Sequence, residues 1–115
     1  MAKSITATNY NVRLHITASV DILGSGGYAN GNIISGFVNQ MYTASIQPRV
    51  IRTTNGNTTT VSGTRDCSNC YYLEASASDY GGVSDSTTAS TQAFYSINVF
   101  GYIRLCQYSV SVSVY

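Results

Sequence analysis

Polar and apolar residues alternate with a period of two through much of the chain, most clearly over residues 12–22. Val12, Leu14, Ile16, Ala18, Val20 and Ile22 fall on one side, and Asn11, Arg13, His15, Thr17, Ser19 and Asp21 on the other. A strand turns successive side chains to opposite faces, so this pattern predicts a half-buried β-strand. Gly24-Ser25-Gly26-Gly27 breaks it, and a second strand is expected over residues 32–39. A third begins near Met41 and is interrupted or bent at Pro48. Proline has no N–H for the ladder, which predicts an edge position there.

Asn55-Gly56 separates two strand-like runs, residues 49–54 and 58–64, and tolerates the positive φ of a tight hairpin turn. A short strand is expected over residues 71–77. The polar run 78–91, with its Asp79-Tyr80-Gly81-Gly82 segment, reads as a long loop holding at most one short strand.

The last segment carries a change of phase. Ile97, Val99, Ile103 and Leu105 occupy odd positions, whereas Tyr108, Val110, Val112 and Val114 occupy even ones, which predicts a bulge or turn near Cys106-Gln107. The alternation then runs to the last residue. Tyr108, Val110, Val112, Val114 and Tyr115 therefore form a candidate assembly strand, since a strand left unpaired recruits a partner. No segment has a helical period. The expected fold is all-β, an antiparallel β-sandwich or small jelly roll of seven to eight strands, with a closed β-barrel as the alternative. Residues 1–115 fit one domain, with residues 1–10 a candidate N-terminal arm.

Composition narrows the classes of partner. Charged residues make up 10% of the chain, against about 25% in an average soluble domain. Its basic residues, Lys3, Arg13, Arg49, Arg52, Arg65 and Arg104, form no run, so nucleic acid is not an expected partner. A surface so poor in charge is expected to be adhesive or covered by neighbours. No stretch approaches the length of a membrane span, and residues 1–10 contain no apolar run of the signal-peptide kind. The expected location is extracellular or in a virion or cell-surface assembly. It is reached either by a mature form with a new start codon or by synthesis in the cytoplasm and release through lysis or assembly.

Motifs for chemistry are weak. Gly24-Ser25-Gly26-Gly27-Tyr28-Ala29 has the form of a dinucleotide-binding loop, but β-branched residues follow where a helix is required, so a turn is expected. Cys67 and Cys70 have a spacing shared by redox sites, zinc sites and local disulfides, and a local disulfide is favoured. Zinc would need Cys67, Cys70, Cys106 and His15 to converge from separate strands. Cys106 is the odd cysteine, a candidate intermolecular thiol or a small buried hydrophobe. His15, the one histidine, lacks an orienting partner and a nucleophile elbow, so no catalytic residue is assigned. Asp79 and Asp85 flank a glycine-rich loop without an EF-hand pattern, so no metal or cofactor is assigned. Asn57-Thr58-Thr59 is a glycosylation sequon, meaningful only on a eukaryotic secretory route.

Two functional expectations follow. The first is a non-enzymatic structural subunit that self-assembles into a homo-oligomer or filament, as in a virion or phage component or an extracellular or spore-surface fibre. Strand pairing and low-charge tyrosine-bearing faces would hold it together. The alternative is a carbohydrate-binding, lectin-like module using Tyr71, Tyr72 and Tyr80 as a platform for a glycan.

Overall fold

The computed structural model describes residues 1–36 and 39–115. Nine strands form two antiparallel sheets, and no helix occurs among the described residues. Sheet A has the order β1-β2-β3-β7, with β1 Ala2–Asn9, β2 Val12–Val20, β3 Gly26–Ile34 and β7 Tyr72–Tyr80. Sheet B has the order β5-β4-β8-β9, with β4 Met41–Thr54, β5 Asn57–Ser62, β8 Ser86–Val99 and β9 Tyr102–Val114; β6, Arg65–Cys70, also pairs with β4. The sheets pack face to face as a β-sandwich and do not close into a barrel.

The core lies between the two inner faces. The alternation of β2 puts Val12, Leu14, Ile16, Ala18 and Val20 inside, against Ala89, Ala93, Tyr95 and Ile97 of β8. Small residues let the sheets approach closely. A Cβ on Gly31 would lie 2.8 Å from Ile16 Cγ2 and 3.2 Å from Ile46 Cγ2, so only glycine fits between those strands without displacing them.

Several elements depart from the sequence pattern. Residues 1–10 are no arm: Ala2–Asn9 pairs with β2 from Ala2 opposite Ser19 to Asn9 opposite Val12. The second strand is β3, which begins at Gly26, well before residue 32, because two glycines can enter a strand when the sheet above it is close. The C-terminal part of the expected 32–39 strand includes residues 37 and 38, which lie outside the described residues. The predicted turn at Asn55-Gly56 closes the β4–β5 hairpin, with Thr54 opposite Asn57.

Pro48 is not at the edge of the sheet. It lies mid-strand in β4, opposite Thr91 of β8. On its other side, the register of β5 (Arg49 opposite Ser62) runs without offset into that of β6 (Ile46 opposite Arg65). β5 and β6 are thus one line of chain interrupted opposite Pro48. Gly63 N–H donates to the Pro48 carbonyl at 3.1 Å, and proline has no N–H to return the bond. The interruption is where the missing donor falls.

The polar run 78–91 is mostly strand. β7 continues to Tyr80 and β8 starts at Ser86. Its inward positions include Thr87 and Thr91, both buried, so hydropathy hides the alternation. Burial is tolerated because each hydroxyl is satisfied: Thr87 donates to the Gly24 carbonyl at 3.1 Å and Thr91 to the Thr17 carbonyl at 2.7 Å.

There is also no bulge or turn at Cys106-Gln107. β9 pairs with β8 without a register shift from Val99 opposite Tyr102 to Thr87 opposite Val114. The phase change has another cause. Ile103 and Leu105 point outward and are exposed, while Val110 and Val112 on the opposite face are buried.

Candidate assembly surfaces

The molecule is a rod, 53 × 20 × 18 Å, and each of its poles exposes apolar side chains. At the first pole two hairpins turn through two-residue loops whose leading residue is aromatic. Tyr10-Asn11 joins β1 to β2 with φ of 54° and 66°, and Phe100 (φ 51°) with Gly101 joins β8 to β9. Such turns favour Asn or Gly at the leading position, because a side chain with positive φ crowds its own carbonyl. A bulky residue there costs about 1–2 kcal/mol.

Phe100 is 97% exposed, so no packing within the chain offsets that strain. The turn is pinned by Asn98, whose Oδ1 accepts the Gly101 N–H at 2.8 Å. Tyr10 and Phe100 line one cleft of about 340 Å³ together with Asn39, Asn98 and Val99. Asn39 donates to the Asn98 carbonyl at 2.8 Å, and Asn98 Nδ2 donates to the Tyr42 hydroxyl at 3.4 Å. Exposed Tyr42, Tyr102 and Ile103 extend this aromatic end.

At the other pole the β2–β3 turn presents Ile22 and Leu23, each 71% exposed, and the β7–β8 loop presents Val83. Ile22 belongs to the inward set by alternation alone, but β2 ends at Val20 and the chain turns before Ile22 can follow. The two loops are tied together: Ser84 N–H donates to the Gly24 carbonyl at 3.2 Å and Gly81 N–H to the Ser25 carbonyl at 2.8 Å. Asp21 accepts the Leu23 N–H at 3.0 Å and the Ser25 hydroxyl at 2.7 Å. Those bonds, the backbone one first, hold its carboxyl below the usual carboxylate value.

Arg52 braces the same pole. Its guanidinium lies 3.2 Å from Asp79 Oδ1 and donates to the Ser84 hydroxyl at 3.0 Å and the Gly82 carbonyl at 2.8 Å. Asp79 therefore faces a cation already within the fold. No group of three or more metal-ligating side chains occurs among the described residues.

A third surface is the outer edge of β9, which ends sheet B. Natural edge strands are kept short or carry charges, prolines or bulges that block pairing. β9 has 13 residues, no proline, no register shift and a single charge, Arg104, stacked over the Tyr102 ring at 5.9 Å. β1 ends sheet A on the same side of the sandwich, where the Asn9 amide donates to the Tyr108 hydroxyl.

The residues singled out from sequence fall as follows. Val110 and Val112 of the candidate assembly strand fill this chain's own core and Tyr108 packs beside them, so the strand is not free to be donated; Tyr115 is exposed. Cys67 and Cys70 form a disulfide, with Cα atoms 6.1 Å apart, on strand β6 and not on an isolated turn. Cys106 is a free thiol packed against the core opposite Tyr95, facing away from the outer surface that an intermolecular bond would need. His15 accompanies neither cysteine site: it lies on the outer face of sheet A, its Nδ1 2.7 Å from the Thr6 hydroxyl.

Tyr71, Tyr72 and Tyr80 do not form one platform. Tyr72 and Tyr80 share the outer face of β7 but stand eight residues apart, roughly 26 Å at about 3.3 Å per residue. Tyr72 donates to Glu74 Oε2, and that bond raises its phenol above the ordinary tyrosine value. The Tyr71 carbonyl receives the Ser35 N–H at 2.9 Å. Of the exposed apolar side chains at the two ends of the rod, Phe100, Tyr10, Leu23 and Val83 were not legible as a surface. Tyr10 and Phe100 carried one signal, an aromatic residue directly before Asn or Gly between two alternating runs; Leu23 and Val83 carried none.

No protein-family model matches the chain, and no curated protein matches it significantly. No helix among the described residues is long and apolar enough to cross a membrane.

Proposed function

We propose that the chain is a non-enzymatic structural subunit that polymerises end to end, as a component of a virion, a phage or an extracellular or spore-surface filament. The observation that carries the reading is the pair of exposed apolar poles on one elongated body, Phe100 and Tyr10 at one end and Ile22, Leu23 and Val83 at the other. Two unlike patches on opposite ends make a heterologous contact, which propagates when its rotation does not close. The bare β9 edge would join such protofilaments laterally by strand pairing. This mechanism differs from donation of the C-terminal strand, because that strand is occupied by its own core.

Light scattering and negative-stain microscopy of the purified chain test the proposal. The expected result is concentration-dependent growth into filaments with an axial repeat near the 53 Å length of the rod. Leu23→Asp, which places a charge in the pole contact, returns the protein to monomer with unchanged circular dichroism. A monodisperse monomer at every concentration would sink the proposal.

A further inference from the structure

Away from the poles, the outer face of sheet A is a grid of polar side chains set by register. Asn30 lies opposite Ser76, Asn32 opposite Glu74 and Tyr28 opposite Ser78. A groove of about 520 Å³ crosses this grid, lined by Tyr28, Asn30, Asn32, Glu74 and Ser76, with Arg65, the first residue of β6, as part of its wall. That volume is within the usual range for small-ligand sites.

The wall is built into the fold. Gly63 presses so closely on β7 that a Cβ there would lie 2.0 Å from the Ser76 carbonyl oxygen, and its N–H is held by Pro48. The interruption between β5 and β6 therefore carries Thr64 and Arg65 over the edge of β7.

We propose that this groove binds an uncharged oligosaccharide. Its inventory matches sugar chemistry: two carboxamides, a hydroxyl, a carboxylate and a guanidinium offer donors and acceptors to neighbouring hydroxyls, and the tyrosine offers an apolar ring face. Asn30 Nδ2 donates to the Tyr28 hydroxyl at 3.3 Å and braces that ring along the sheet. Arg65 and Glu74 do not pair with each other among the described residues, and the side chains of Asn32, Arg65 and Ser76 make no hydrogen bond there. Those groups are open to a ligand. One cation matched by one carboxylate gives no net attraction for phosphate, and a lone carboxylate does not hold a divalent metal.

Saturation-transfer difference NMR, which works on monomer and filament alike, tests the groove with hexasaccharide fragments of glucan, chitin, mannan and galactan as probes. At least one is expected to show transfer. Tyr28→Ala should weaken that binding about tenfold while Tyr28→Phe retains it, since the ring face and not the hydroxyl stacks. Asn32→Ala should weaken it as well. Tyr80→Ala, on the same face of β7 but outside the groove, should leave it unchanged. Absence of transfer with all four probes, binding that survives both Tyr28→Ala and Asn32→Ala, or displacement of the bound hexasaccharide by inorganic phosphate would overturn the proposal. None of these outcomes depends on whether the chain polymerises.

Discussion

Two aromatic residues show how far single positions can depart from local preference. Phe100 holds a left-handed conformation with its ring in solvent, so the isolated subunit bears the strain with no internal return. Phe100→Asn is expected to raise the stability of the monomer by about 1 kcal/mol, measured by urea denaturation. The same change should reduce assembly in light scattering. A variant that is no more stable would mean the turn is not strained. Tyr95 is the opposite case, an aromatic fully buried beside Cys106 and bonded to the Asn9 carbonyl at 3.4 Å. Burial, reinforced by the neighbouring thiol, pushes its phenol well above the ordinary tyrosine value. Below the ordinary value near 10 both states hold the proton and the stabilisation is complete; above it the unfolded chain releases the proton first, and stability falls. Denaturation midpoints above about pH 10 should therefore drop more steeply for the native chain than for Tyr95→Phe.

At the level of elements, Pro48 and Gly63 act as a pair. The absent N–H opens the line of β5 and β6, and the absent Cβ lets the gap lie against β7. Gly63→Ala must displace that contact, and an expected loss of about 1–3 kcal/mol in urea denaturation checks it. The hairpin at Asn55-Gly56 and strand β2 were legible in the sequence because both obey local rules: turn chemistry and a strict period of two. The first half of β8 was not, because its inward residues are threonine and alanine, and the threonines are buried only by bonding to carbonyls across the sandwich. In β9 the exposure of Ile103 and Leu105 counterfeits a slip of register, so the pattern predicts a bulge or turn at Cys106-Gln107 where the strand runs straight through. The polar groove was invisible for a similar reason. Tyr28, Asn30, Asn32, Glu74 and Ser76 alternate as ordinary outward positions, and only the pairing of β3 with β7 gathers them.

On the scale of the whole molecule, the low charge predicted from composition coincides with apolar ends and a bare edge. Chain termini are integral to both sheets: β1 begins at Ala2 and β9 runs to Val114. Deleting residues 109–115 removes Val110 and Val112 from the core. The expected outcome is general loss of the fold, read by circular dichroism, and not a soluble monomer that fails to assemble. A folded, monomeric truncation would show that these valines contribute little.

The small inward residues of β8 have a further meaning in time. Thr91 closes its hydroxyl on Thr17, 74 positions earlier in the chain, and the face of β2 is covered only by strands near the C-terminus. During synthesis β3 can meet β4 early, but the apolar side of β2 stays uncovered until β8 and β9, in the last third of the chain, have left the ribosome. Pairing across such separations is slow, on the order of milliseconds to seconds. The apolar side chains of β2 are thus exposed for as long as β8 and β9 are missing, and an exposed apolar face of that kind is prone to aggregate before the fold closes.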